Sequence, residues 1–275
     1  MTADARDDRT LVQQCLTTTG SEASRQTADR LLSRIVRRRN FAVHRHVHLV
    51  AAFETARHLE PITSAMSAGC GAGLSELFLA AANPDVSFRL TDFDPVRLDI
   101  ARGIGEAWGL ENVSYEPLDL LLDPDGRTFD FVSSIEVLEH IDHDHVAARN
   151  LRSYAKRFAY ILVPYCSPSE LHNERRRAYV WEKFEHFRPG YTHETFAEIA
   201  GAGPTEFSRN CYFMPEAYEF RERVKQLTDD HLVANVRDIV SEVVLDVRDE
   251  VVDGGTQEAQ GIEVLVRTGT VPPAR

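Results

Sequence analysis

The chain has little cysteine, fewer basic than acidic residues and no long apolar run. Its four cysteines lie far apart with no paired spacing, which argues against both a disulfide framework and a cysteine zinc site. No apolar run approaches the length that a membrane-spanning helix needs, and the polar, mixed-charge start does not resemble a signal peptide. These absences predict a soluble, cytoplasmic protein with reduced thiols.

Acidic residues outnumber basic ones by 43 to 31, which gives a formal net charge of −12. This surplus of negative charge disfavours general attraction to nucleic acid phosphates and to anionic membranes. Two arginine triplets, at 37–39 and 175–177, are candidates for a basic patch, but such runs are more typical of solvated helix faces. We therefore expect a small-molecule partner rather than nucleic acid or a membrane. The oligomeric state stays open, with a homodimer as one option.

Short strand-like segments and helical segments alternate through most of the chain. Strands are expected at 62–68, 86–91, 113–116, 129–135, 158–163 and 261–268. The segment 129–135 is nearly all apolar, which is typical of a strand buried on both faces. This alternation predicts an α/β fold with a doubly wound, mostly parallel sheet.

Helical segments are expected before the first strand and within two insertions. We predict an N-terminal helical cap at 1–60 and a main domain at 61–275, with insertions at about 165–191 and 212–253. Insertions between late strands commonly shape a substrate pocket. The histidines at 44, 46 and 48 do not share one helix face, so we expect partly exposed helix surface there rather than a metal site.

Three glycines at alternate positions, Gly69, Gly71 and Gly73, lie between a predicted strand and a predicted helix. Because glycine has no Cβ atom, such a turn lets the backbone approach a ligand closely. Nineteen residues beyond the last glycine, Asp92 ends the next strand, where its carboxylate can accept hydrogen bonds from ribose hydroxyls. The pattern predicts a nucleoside-bearing cofactor, and Leu74 replaces the third glycine of the dinucleotide fingerprint.

These motifs resemble those of class I S-adenosylmethionine-dependent methyltransferases. The resemblance covers about residues 62–200 and the last strand, and it implies a seven-stranded, Rossmann-like sheet with S-adenosyl-L-methionine as cofactor. The segment 133–141, SSIEVLEHI, is similar to the motif after strand four in the branch that contains the quinone-biosynthesis O-methyltransferases.

The resemblance assigns cofactor roles to residues that follow the strands. By this match Asp92 binds the ribose hydroxyls, Phe93 packs near the adenine, and Asp119 contacts the adenine amino group. The full set of expected cofactor-binding residues is Ser67, Gly69, Gly71, Gly73, Asp92, Phe93, Asp119, Leu120 and Glu136.

One position departs from the family pattern. Family members usually have an acid two residues before the first glycine, where this chain has Ser67. A serine hydroxyl forms hydrogen bonds but cannot neutralise the ammonium group of the cofactor. Either Glu76 or Glu136 then supplies that charge, or the affinity for the cofactor is lower.

Candidate catalytic residues follow strand four. His140 and His186 are the best candidates for a general base, because an imidazole titrates near neutral pH. Together with Glu136 and Glu139 they also resemble the metal site of the small-RNA 3′-terminal 2′-O-methyltransferases. We favour a structural hydrogen-bonding role for Glu139 and His140, so no metal is predicted.

An aromatic cluster occupies the first insertion: Tyr179, Trp181, Phe184, Phe187 and Tyr191. It fits an acceptor pocket or a cage for a developing cation, and it fits packing onto the sheet equally well.

The sequence therefore predicts methyl transfer to an oxygen or nitrogen of a small molecule. One alternative is a metal-dependent RNA 3′-terminal 2′-O-methyltransferase. Another is a cofactor-binding regulator without catalysis, which only Ser67 supports.

Overall fold

The computed structural model describes residues 10–14, 21–39, 43–201, 205–211, 222, 224–247 and 260–268. The strands are β1 Ser64–Ala68, β2 Ser87–Asp92, β3 Val113–Pro117, β4 Phe129–Ile135, β5 Ala155–Pro164, β6 Thr205–Cys211 and β7 Gly261–Arg267. The helices are α1 Glu22–Arg39, α2 Val43–Leu59, α3 Leu74–Ala82, α4 Pro95–Ala107, α5 Asp144–Ser153, α6 Pro168–Leu171, α7 Glu174–Phe184, α8 His193–Ala200 and α9 Asp229–Val247. None of these helices is long and apolar enough to cross a bilayer.

The strands form one seven-stranded sheet in the order β3-β2-β1-β4-β5-β7-β6. Strand β4 is parallel to β1 and β5, β2 is parallel to β3, and β7 runs antiparallel to β5 and β6. The predicted doubly wound, mostly parallel fold is confirmed. The strand order reverses between β1 and β4, and open α/β sheets bind ligands at the carboxyl ends of the strands at such a point.

The expected secondary structure agrees with most of these elements. Helices α1 and α2 lie in the predicted N-terminal helical region, and α6 and α7 lie in the first insertion. Of the second insertion the structure describes α9 and a few residues before it, and 212–221 and 248–253 lie outside the described residues. Strand β6 was missed, because five of its seven residues are polar and they do not alternate regularly with apolar ones. The division at residue 60 stays a prediction.

The chain divides into two compact units. The first contains the described parts of 1–51, 70–117 and 213–253. There the carboxylate of Asp29 on α1 accepts hydrogen bonds from the indole of Trp108 at 3.3 Å and from the guanidinium of Arg237 at 3.0 Å. The guanidinium of Arg237 also lies 5.6 Å from the centre of the Trp108 ring. This polar cluster joins α1, α9 and the end of α4.

Two histidines of α2 are buried, so the prediction of partly exposed helix surface was wrong. His46 and His48 are 3% and 2% exposed, while the side chain of His44 lies outside the described residues. Residues 46–49 are consecutive and all buried, which covers this turn of the helix on every side. Burial lowers the pKa of His46 to about 4, so its ring is neutral at pH 7 and packs edge-on against Phe78.

The second unit contains the described parts of 52–69, 118–212 and 254–275. Its core is built on the apolar strands β4 and β5, where the Phe131 ring stacks on Tyr160 and meets Phe53 edge-on. At the amino ends of the strands, Asp130 of β4 accepts hydrogen bonds from the backbone and hydroxyl of Thr63 and from Arg157 of β5.

We predict that Asp130→Asn destabilises the fold at neutral pH. Burial alone would raise the pKa of Asp130, but these hydrogen bonds and the charge of Lys156 outweigh it and lower the pKa to about 2. A folded-state pKa below the unfolded value of about 3.9 means stabilisation that is complete above about pH 4 and lost as the pH falls towards 2, worth about 2 kcal/mol.

Urea unfolding between pH 7 and pH 3 measures this difference. The free energy of unfolding should be about 2 kcal/mol lower for Asp130→Asn at pH 7, with the gap closing below pH 4. Asp123→Asn, which removes an exposed carboxylate, is the control and should match the parent protein. A gap that stays constant down to pH 3 would show that the charge of Asp130 is not what stabilises the fold.

Candidate functional site

The turn between β1 and α3 contains the three glycines, all with left-handed backbone angles. Their φ values are 77° at Gly69, 58° at Gly71 and 67° at Gly73. A Cβ atom at Gly69 would lie 2.3 Å from a methyl of Val137, and one at Gly73 would lie 2.8 Å from Ala101, whereas one at Gly71 would meet nothing within 4 Å. The outer glycines are therefore required by packing, and the middle one faces open space that a ligand can fill.

Asp92 fixes this turn from the end of β2. Its carboxylate is buried and accepts hydrogen bonds from the backbone N–H of Gly71 at 2.7 Å and of Asp94 at 2.8 Å. An ionised carboxylate has about four acceptor positions, so capacity remains for hydroxyl groups of a ligand. The adjacent Phe93 is 75% exposed, so its ring is accessible for stacking. The ribose contact of Asp92 and the adenine contact of Phe93 stay predictions.

The loop after β3 contains the predicted cofactor-binding residues Asp119 and Leu120, and Leu120 is buried. The carboxylate of Asp119 accepts a hydrogen bond from the N–H of Leu121 at 2.8 Å, which forms a tight turn. The buried amide of Asn150 on α5 donates to the carbonyls of Leu120 and Leu122, both at 2.9 Å. Asn150 was missed by sequence reasoning, because no local pattern links it to a loop 30 residues earlier.

Ser67 and the two glutamates considered as replacements for the missing acid are either buried or in a strained backbone conformation. Ser67 is buried in β1, and Glu76 is buried in the first turn of α3. The pKa of Cys70 is raised, first by burial and then by the negative charges of Glu76 and Asp92, so the glycine turn lies in a negative field. Glu136 follows β4 and has a φ of 52°, a backbone conformation that residues other than glycine rarely adopt. Of the two glutamates, Glu76 is the one whose charge contributes to the raised pKa of Cys70.

The two candidate bases meet directly. The ring centres of His140 and His186 lie 4.5 Å apart, with the rings almost perpendicular. His140 is exposed, His186 is half-buried, and the nearby Glu139 is fully buried. One ligand atom from each of these three residues lies within 4.8 Å of the other two, but Glu136 is not part of the group. The structure therefore brings together three of the four residues named as an alternative metal site.

A buried carboxylate holds the segment that carries His186. Asp144 on α5 forms an ion pair with Arg188 at 2.6 Å and accepts a hydrogen bond from the hydroxyl of Tyr191 at 2.8 Å. Burial raises the pKa of Tyr191, so its hydroxyl stays protonated and donates. The N–H of Phe187 donates to the carbonyl of Glu139 at 2.8 Å. Sequence reasoning missed this clamp, since its members are more than 40 residues apart.

The aromatic cluster separates into one core residue and four surface residues. Tyr191 is fully buried, whereas Tyr179, Trp181, Phe184 and Phe187 are all more than 40% exposed. Packing onto the sheet therefore accounts for Tyr191 alone.

Two cavities adjoin α7. One, of about 450 Å³, is lined by His140, Trp181, Glu182, Glu185 and Phe187, and one of about 340 Å³ includes Arg176 and His186 in its lining.

Residues 66–160 match the family model described as a methyltransferase domain. This stretch contains the glycine turn, the loop after β3 and the segment with His140. The chain is also 28% identical over 113 residues to ribosomal RNA small subunit methyltransferase G of Parabacteroides distasonis, a match that covers 41% of this chain and 48% of that protein. The chain thus spans about half the length of the curated relatives that it matches.

Solved structures share the fold over most of the chain. A geranyl diphosphate methyltransferase in complex with GPP and sinefungin has a TM-score of 0.55 at 11% identity, with 80% of this chain and 78% of that chain covered. The [4+2]-cyclase SpnF has a TM-score of 0.53 at 17% identity, with 82% and 80% covered. The match of residues 66–160 to a methyltransferase domain agrees with the glycine turn and with the strand order of the sheet.

Proposed function

We propose that this protein transfers a methyl group from S-adenosyl-L-methionine to an oxygen or nitrogen of a small-molecule acceptor. The observation that carries the proposal is the cavity of about 450 Å³ beside His140, since its volume is typical of small-molecule sites. His140 follows β4 by five residues, at the edge of the sheet where α/β folds bind ligands. The resemblance to quinone-biosynthesis O-methyltransferases remains the finer prediction for the acceptor.

The residues of the glycine turn fit the cofactor. Gly71 leaves space for close approach, the Asp92 carboxylate retains acceptor capacity for ribose hydroxyls, and Phe93 offers an exposed ring for adenine. Glu76 is our candidate to balance the ammonium charge that Ser67 cannot. When bound, the cofactor supplies a methyl group activated by a sulfonium.

The chain's own contribution to methyl transfer is alignment and proton removal. In-line displacement gains most from a fixed orientation of the acceptor, which the walls of a cavity provide. His140 reaches into this cavity, and His186 contacts its ring, so either imidazole can accept the proton of a hydroxyl acceptor. The clamp on Asp144 keeps Arg188, and with it the neighbouring His186, in place.

A second candidate function is metal-dependent 2′-O-methylation of an RNA 3′ end. It is favoured by the convergence of Glu139, His140 and His186, whose oxygen and nitrogen atoms suit a divalent ion. The ribosomal RNA methyltransferase among the relatives makes RNA a substrate to test. The net charge of −12 weighs against an extended RNA surface.

The third candidate is a cofactor-binding regulator without turnover. Ser67 supports it, because this residue cannot neutralise the ammonium group of the cofactor. The [4+2]-cyclase of similar fold also shows that the fold alone does not determine whether methyl transfer takes place.

We predict that Asp92→Asn weakens binding of S-adenosylhomocysteine by about 10- to 100-fold, because a hydrogen bond to a charged group is worth about 1.5–3 kcal/mol. Titration calorimetry measures the dissociation constant. Asp94→Asn is the matched control, because it removes a charge two residues away and asparagine still caps α4. Equal affinity in Asp92→Asn and the parent protein would refute the assignment of this site.

We predict that turnover survives a chelator and depends on His186. With an oxygen acceptor, His186→Gln should lower kcat by about 100-fold through loss of the proton acceptor, while EDTA leaves the parent rate unchanged. His58→Gln, which replaces an exposed histidine near the end of α2, is the control and should retain the parent rate. Loss of turnover in EDTA, restored by Mg²⁺ or Mn²⁺, together with loss in Glu139→Gln, would instead support the metal-dependent function.

A further inference from the structure

We infer that the cavity lined by Trp181, Glu182, Glu185, Phe187 and His140 is a subsite for a positively charged amine. This inference rests on the proposed function, because it selects cationic nitrogen compounds from the wider class of small-molecule acceptors. We call this cavity the amine subsite.

Two aromatic side chains form one wall of the amine subsite. The ring centres of Trp181 and Phe187 lie 5.0 Å apart at an interplanar angle of 65°, in an edge-to-face arrangement. Trp181 is 52% exposed and Phe187 is 41% exposed, so much of each ring faces solvent rather than the core. An exposed aromatic face attracts a cation through its quadrupole, and tryptophan does so most strongly.

Two carboxylates complete the amine subsite. Glu182 and Glu185 both line the cavity, and no lysine or arginine is among the described residues that line it. The nearest arginine in sequence, Arg188, is already paired with Asp144 at 2.6 Å. Aromatic faces and unneutralised carboxylates in one cavity favour a cationic ligand over a neutral or anionic one.

The placement of these carboxylates is unfavourable for the helix itself. Glu182 lies in the last turn of α7 and Glu185 caps its end, where the helix dipole favours basic side chains. Glu185 also adopts left-handed angles, φ 61° and ψ 32°, at a position where glycine or asparagine is normally found. Residues whose type is unfavourable at their position in the fold tend to lie at functional sites.

The orientation of the subsite is fixed by backbone contacts at both ends. The N–H of Glu185 donates to the carbonyl of Trp181 at 2.9 Å, which closes the helix, and both residues line the cavity. The N–H of Phe187 donates to the carbonyl of Glu139, beside His140. A cationic amine in the cavity would thus lie against an imidazole that can remove its proton before methylation.

The test compares choline with 3,3-dimethyl-1-butanol, which has the same shape without the charge. The chain has two tryptophans, so ¹⁵N-tryptophan labelling gives two indole NMR signals, with Trp108 as the internal reference. In EDTA and saturating S-adenosylhomocysteine, choline should shift the Trp181 signal alone. It should bind at least about fivefold more tightly than the alcohol, and more weakly at high salt.

Variants distinguish a local contribution of Glu185 to choline binding from a general effect of negative charge on the helix. Glu185→Gln should weaken choline binding about threefold or more, and Glu185→Gly should do the same with an unchanged or higher Tm, because glycine suits the left-handed position. Glu174→Gln is the matched control, since it removes an exposed carboxylate from the first turn of the same helix. Equal binding of choline and the alcohol, or equal losses in the Glu174 and Glu185 variants, would overturn the inference.

Failure of the subsite and failure of the proposed function give different results. Methyl transfer to uncharged acceptors without any choline response would overturn the amine subsite and leave the methyltransferase function standing. A choline response that depends on Glu185, without turnover on any acceptor, would support the subsite and count against the function.

Discussion

The predicted cofactor site depends on one hydrogen bond, which the N–H of Gly71 donates to the carboxylate of Asp92 at 2.7 Å. It ties the turn after β1 to the end of β2, so the residue that leaves open space for a ligand is held by the residue expected to bind its ribose. The flanking glycines support this arrangement from either side, because Val137 and Ala101 leave no room for a side chain. The same carboxylate adds to the negative field around Cys70, which suits a cofactor with a positive charge.

The proposed acceptor site depends on a different carboxylate. Asp144 is buried, and its bonds to Arg188 and Tyr191 hold the segment between α7 and α8 against the 3₁₀ turn Leu138–His140. This contact brings His186 to His140, although the two are 46 positions apart in sequence. A methyltransferase needs its acceptor aligned more than it needs strong acid–base chemistry, so such a clamp contributes through geometry.

How much the sequence predicts depends on whether a signal is local. The glycine turn, Asp92 and the apolar strand β4 were all predicted, because each is a short pattern with one structural meaning. The exposure of His46 and His48 was mispredicted, because helix periodicity says which residues share a face but not how many faces are covered. Asn150 and Arg188 contact partners 28 or more residues away, and no single-sequence pattern reports such pairs.

Methyl transfer itself is the central claim, and isotope transfer tests it most directly. Protein incubated with S-adenosylmethionine labelled in the methyl group is offered a panel of small hydroxyl and amine compounds and, separately, short RNA. The account predicts label in the small-molecule fraction, at a rate that depends on protein concentration. Label in RNA alone, or no transfer despite bound cofactor, would contradict it.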